Sequence, residues 1–194
     1  MKIAVIDLET TGFVPSDCIV EIGVCELDLE AGTTKALVNM PVRESHFTKA
    51  QHRHSWIFSH SSLKFWDVIN ATPWKNAERE LAWILEEYPI AAFNKAFDFG
   101  FLKHRDLVPK RELPCPMISA AQVLRIPVSL AFRKSWVGPL GEYKWPTLEE
   151  AWEHYFPGLD YAEQHRAFDD ALHEALLIRA MHIAGDYKIE ENSP

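Results

Sequence analysis

The chain has 194 residues, 47% of them hydrophobic and 25% charged, and carries a net charge of −8. This is enough apolar material for a packed core, and the lack of any apolar run of about eighteen residues excludes a membrane-spanning helix. The start reaches Asp7 too early for a signal-peptide core, and Cys18, Cys25 and Cys115 lack metal spacing, so reduced thiols and a cytoplasmic location are expected.

In chain order, residues 2–7 read as a buried strand ending in a turn at Thr10-Thr11-Gly12. Residues 18–27 and 33–42 give two more strands, joined by a hairpin turn at Ala31-Gly32. Residues 43–70 are rich in His and Ser, with mixed helical signals. After Thr72-Pro73 a helix is predicted over 74–88, with Ala77, Leu81, Ile84 and Leu85 at the helical period and Pro89 as its stop. A short strand at 90–93, a helix at 97–106 and a strand near Met117 follow. Thr147 and Glu150 form a capping box for a helix to Tyr155. A long helix from about His165 to His182 closes the order, and residues 187–194 read as a tail after one domain of residues 1–186. Three strands followed by alternating helix and strand point to a single α/β domain.

Charge is unevenly spread. Residues 95–144 hold nine Lys or Arg against four acids, +5, which leaves −13 for the rest of the chain. A basic patch amid an acidic whole is compatible with phosphate binding if bound cations neutralise some of the acids. Trp136 to Trp145, with Arg133, Lys134 and Lys144, mixes basic and aromatic residues in a way that suits either a single-strand-binding loop or a plain surface loop.

Three segments carry acids that, taken singly, read either as ordinary structural acids (a surface strand end, a first-turn helix acid, a charged helix start) or as a functional set. In Val5-Ile6-Asp7-Leu8-Glu9-Thr10-Thr11-Gly12 a buried strand ends in two carboxylates, and strand alternation puts Asp7 and Glu9 on one face. A divalent cation with a preference for oxygen would relieve their repulsion. In Asn94-Lys95-Ala96-Phe97-Asp98-Phe99-Gly100-Phe101-Leu102, Asp98 falls in the first turn of a helix. In His165-Arg166-Ala167-Phe168-Asp169-Asp170-Ala171, Asp170 shares a face with Ala167, Ala171 and Glu174, and His165 stands at the helix start.

Together, Asp7, Glu9, Asp98, His165 and Asp170 resemble the DEDDh 3′–5′ exonuclease family, which includes polymerase proofreading exonucleases and RNase T. Asp-Leu-Glu-Thr-Thr-Gly matches its first motif, Asn94 to Leu102 its second, and His165-x-Ala167-x-x-Asp170 its third. Phe93, where the family often has His, and Cys115 to Ser119, where a Trp/Ile-Asp-Thr pattern is usual, depart from it. The resemblance implies a ribonuclease-H-like α/β fold with a five-stranded mixed sheet flanked by helices. It implies two Mg²⁺ or Mn²⁺ ions held by Asp7, Glu9, Asp98 and Asp170, with Asp7 bridging and Asp98 acting through water, and His165 as general base. The expected reaction is hydrolysis from the 3′ end to nucleoside 5′-monophosphates, with DNA slightly preferred over RNA.

The resemblance puts Glu9 and Thr10 by the 3′ hydroxyl, with Thr11 and Asn94 further substrate contacts. Phe13 reads equally as a base-stacking wedge or as core, while Phe97 and Phe101 read as core. Single-stranded DNA or RNA is the expected partner, a polymerase or a second copy of the chain a further one, and a membrane is not. A proofreading subunit of a polymerase and a non-catalytic binding module of the same fold are the competing readings. His46, His52, His54 and His60 lack the spacing of a zinc motif and no cysteine joins them in sequence, so they read as exposed loop residues. Trp56, Trp66, Trp74 and Trp83 read as core, with Trp56 a second candidate for base contact.

Overall fold

The computed structural model describes residues 1–128 and 143–189. Three long strands come first: β1 (Lys2–Thr10), β2 (Ile19–Asp28) and β3 (Thr34–Arg43). Three short helices follow, α1 (Lys49–His52), α2 (Ile57–His60) and α3 (Phe65–Ile69). Then come β4 (Thr72–Pro73), α4 (Trp74–Glu87), β5 (Pro89–Ala91), α5 (Lys95–Lys103) and β6 (Arg111–Glu112). The last helices are α6 (Pro116–Leu124), α7 (Leu148–Tyr155) and α8 (Ala167–Ala184). The sheet order is β4-β3-β2-β1-β5-β6, with β1, β2 and β3 antiparallel and the β1–β5, β5–β6 and β3–β4 pairs parallel. No helix among the described residues is long and apolar enough to cross a membrane.

Both sheet faces are covered, as a mixed sheet requires. On one face Ile3, Val5, Cys25 and Leu27 pack against α6, α7 and α8. On the other, Ala4, Ile6, Leu8, Ile22 and Val24 pack against α4 and α5. The two faces read off as odd and even residues of β1. α8 comes close to the sheet because Ala171 and Ala175, both fully buried, offer no bulk. The capping box at Thr147 and Glu150 is present as predicted, with Glu150 N–H on the Thr147 hydroxyl at 3.2 Å and Thr147 N–H on Glu150 Oε2 at 2.9 Å.

Several expectations are corrected. The sheet has six strands instead of five. The segment around Met117 is helix α6, where Pro116 takes the first helical position and Met117, Ala120 and Ala121 bury one face at helical spacing. The strand lies earlier, at Arg111–Glu112. None of the four tryptophans is buried: Trp56, Trp66 and Trp83 are more than half exposed and Trp74 is intermediate.

His52 is also not a loop residue. It stacks on Phe47 at 5.0 Å in a third cluster beneath α1 to α3, and its Nε2 lies 3.8 Å from Cys18 Sγ. Cys18 thus joins this histidine stretch in space, and Cys18, Glu44 and His46 bring polar atoms within 4.8 Å of one another. Arg105 engages both oxygens of Glu44, and Ile19 N–H adds a third donor, so this carboxylate is committed to an internal ion pair. All three cysteines are buried and unpaired. The basic and aromatic stretch around Arg133 and Lys134 and the tail from residue 190 lie outside the described residues.

Candidate active site

The parity that sends Ile3 and Val5 to the α8 face of the sheet carries Asp7 and Glu9 there too. The strand pairing shifts by one residue between Glu9 and Thr10, an irregularity typical of sheet positions beside active sites. Asp98 arrives from the other side: it is 2% exposed, and its Oδ1 accepts the N–H of Leu8 at 3.1 Å, which ties the start of α5 to the end of β1.

Two residues of β2 seat α8. Gly23 pairs with Asp7 across the ladder, and a Cβ there would lie 2.0 Å from the carbonyl oxygen of Ala167, so the first turn of α8 rests directly on the glycine. Glu21 is buried; it accepts Ala167 N–H at 3.0 Å and pairs with the Arg166 guanidinium, Nη2 lying 2.6 Å from Oε1. A carboxylate at a helix N-terminus also favours the helix dipole. From this seat Asp170 projects inward, its oxygens accepting the Tyr161 hydroxyl at 2.8 Å and Arg166 N–H at 3.0 Å.

His165 precedes the helix instead of belonging to it. Its φ of 50° is left-handed, a conformation that costs a non-glycine residue about 1 kcal/mol and points to a constrained position. Nδ1 lies 3.6 Å from Glu163 Oε1, and the ring meets the edge of Trp56 at 4.7 Å. Glu9, His165 and Asp170 each place a polar atom within 4.8 Å of the other two.

These groups surround a cavity of about 690 Å³, within the usual size of a ligand site. Asp7, Glu9, Asn94, Asp98, Glu163, His165 and Glu174 contribute to its wall, and Asp170, outside the wall, lies within 4.8 Å of Glu9 and His165. Thr10 and Thr11 are not in this wall; their hydroxyls hold the turn, donating to Gly12 O at 3.0 Å and Asp17 Oδ1 at 2.9 Å. Phe13 is 75% exposed, which removes the core reading, and its ring sits edge-on to Phe97 at 6.1 Å. Phe97 is only half-buried and lines the cavity, whereas Phe101 is core as expected.

The profile of the RNase T family, described as exonuclease, matches residues 4–178. The chain belongs to that family. It is an exonuclease, a phosphodiester hydrolase. No curated protein matches its sequence significantly. Solved structures share the fold at low identity. One reports 3′-end-specific recognition of a histone mRNA stem-loop by a 3′-exonuclease, with TM-score 0.64, 17% identity, and coverage of 97% of this chain and 84% of that one. The nuclease domain of 3′hExo bound to rAMP gives TM-score 0.60, 17% identity, and coverage of 99% and 97%. E. coli Exonuclease I with a dT13 oligonucleotide gives TM-score 0.62 and 12% identity over 93% of this chain, but this chain spans only 40% of that one.

The exonuclease's site is a concentration of carboxylates that burial has made reluctant to ionise. Asp7 is held well above the ordinary carboxylate range by burial and then by the charges of Asp98, Glu174, Glu9 and Asp170. Burial, followed by Asp170 and Glu21, pushes Glu9 up to about 9. Asp98 is pushed up to about 8 by burial, against hydrogen bonds from its own N–H and that of Leu8. Asp170 is raised by burial, with Tyr161 and Arg166 N–H pulling the other way. Lys144, a basic side chain in the described wall, is occupied by Glu150 at 2.5 Å.

Exonucleases of this family depend on divalent metal ions. The donors here fit that group: hard carboxylate oxygens, buried and mutually repelling, with one imidazole beside them. Sequence reasoning picked out the five matching positions but missed Glu21, Gly23, Tyr161, Glu163 and Glu174, which seat or crowd them. Only Glu174 left a signal, its place one turn after Asp170 on the same helix face.

Proposed function

We propose that residues 1–186 act as one cytoplasmic exonuclease domain. It would remove nucleotides singly from the 3′ end of single strands and release nucleoside 5′-monophosphates, with DNA preferred over RNA. The observation that carries this reading is the convergence of Glu9, His165 and Asp170 within 4.8 Å, beside Asp7 and Asp98 in one cavity. Asp7, Glu9, Asp98 and Asp170 would hold two Mg²⁺ or Mn²⁺ ions. Such ions, when bound, supply charge neutralisation at the phosphate and lower the pKa of water.

The chain's own residues do the rest. His165 takes the proton of the attacking water, with Glu163 at 3.6 Å on its Nδ1 side orienting the ring and favouring the imidazolium that forms. The cavity admits a mononucleotide, and the exposed ring of Phe13 offers a stacking face that tolerates any base. Glu9 and Asn94, both in the cavity wall, would border the terminal sugar, with Thr10 and Thr11 holding the turn that follows Glu9. That solved relatives of this fold hold rAMP and dT13 supports single strands as the substrate class.

A time course on 5′-labelled single-stranded DNA and RNA with Mn²⁺ tests this. Stepwise shortening from free 3′ ends, faster on DNA and absent on 3′-blocked strands, is the expected result. Equal loss from blocked and free ends would overturn the polarity.

A further inference from the structure

A further carboxylate stands in the same cavity, outside the five matching positions. Glu174 lies one helical turn beyond Asp170 on α8, is 3% exposed, and lines the cavity with Asp7 and Asp98. Its Oε2 accepts the N–H of Phe93 at 3.0 Å, just past the end of β5. Its Oε1 accepts no hydrogen bond from the described residues. Asp170, by contrast, has both oxygens engaged, by Tyr161 and by Arg166 N–H, and is not part of the cavity wall.

Glu9, Asp170 and His165 cluster within 4.8 Å. Asp98 and Glu174 are the charges that press most on Asp7, ahead of Glu9 and Asp170, and Asp98 is the charge that presses most on Glu174. A buried glutamate is costly unless its charge is compensated, and a single main-chain N–H compensates it only in part.

We infer that Glu174 is a direct carboxylate ligand of the divalent-ion centre, acting from the cavity wall it shares with Asp7 and Asp98. The inference rests on the divalent-ion reading above. Its bond to Phe93 fixes one oxygen and leaves the other without a hydrogen bond from the described residues, so α8 supplies a second acid to the site beside Asp170.

Calorimetric titration of Mn²⁺ into the metal-free protein tests it without reference to activity. Wild type should bind two ions. Glu174→Gln keeps an acceptor for Phe93 N–H but loses the charge, and should weaken one of the two binding events at least tenfold while leaving the other unchanged. Two-ion binding at wild-type affinity in Glu174→Gln would overturn the assignment. Should that variant not fold by circular dichroism, Glu174→Asp decides. One methylene shorter, it cannot both hold Phe93 N–H and reach the cavity, so unchanged affinity would again overturn the assignment. Asp7→Asn separates the two levels: if wild type and Asp7→Asn alike bind no Mn²⁺, the divalent-ion reading itself fails. If Asp7→Asn loses binding and Glu174→Gln does not, only the role of Glu174 fails.

Discussion

Replacing Gly23 by alanine should disable the enzyme without touching a catalytic group. The added Cβ would sit 2.0 Å from the Ala167 carbonyl oxygen, 2.1 Å from its carbon and 2.3 Å from Phe168 N. Ordinary contact begins at 3.4 Å, so about 1.4 Å must be recovered, and the obstacle is backbone on the first turn of α8 instead of a side chain that could swing away. Overpacking of this kind costs about 1–3 kcal/mol, or roughly 2–12 °C in Tm for a chain of this size. The larger effect is on catalysis. Asp170 rides on the displaced turn and His165 lies just ahead of it, while Asp7 and Glu9 stay on β1, and a misplacement of about 1 Å costs on the order of 100-fold in rate. The assay is kcat on a single-stranded oligonucleotide, with circular dichroism to confirm folding. A folded Gly23→Ala enzyme with near-wild-type kcat would refute the claim that this contact sets the site's geometry.

Other outcomes follow from the same geometry. Carboxylates raised to about 8 (Asp98) and about 9 (Glu9), with Asp7 higher than its usual range, mean that the folded state holds more protons than the unfolded one from about pH 4 up to those values, so stability must fall as pH rises through that window. Tm in EDTA should therefore drop between pH 5 and pH 9 and the drop should largely vanish in Mg²⁺; a flat profile in EDTA would count against the buried cluster. Arg166→Ala leaves Glu21 buried without its partner; discounted for the partial exposure of Arg166, the loss should be about 2 kcal/mol, read by urea denaturation. Trp56 is 53% exposed, stacks on His60 at 4.3 Å and meets His165 edge-on. Trp56→Ala should weaken single-strand binding by about 1–3 kcal/mol in anisotropy measurements on an inactive Asp7→Asn background, with Tm unchanged.

What could be read from the sequence was local. Alternation placed Asp7 and Glu9 on one strand face, the helical period found α4, and Ser/Thr–Glu spacing found the cap of α7. These signals survive because each depends on a few neighbouring residues. What could not be read depends on residues distant in the chain. Gly23 looks like an ordinary strand glycine until α8 is laid on it, and Glu21 looks like a solvent-facing acid until Arg166 meets it 145 residues later. The short strand β6 carries only two residues and no alternation, so the apolar stretch around Met117 was read as strand where Pro116 starts a helix. For Phe13 and Trp56 the core reading stood open because hydrophobicity favours burial, and nothing local shows that they stand beside the cavity-lining residues Phe97 and His165.

Anomalous diffraction from crystals grown metal-free and soaked in Mn²⁺ tests the central claim most directly. Two manganese peaks among Asp7, Glu9, Asp98, Asp170 and Glu174 are expected, both lost on back-soaking in chelator. A fully folded protein with ordered carboxylates and no peak at that cluster would contradict it.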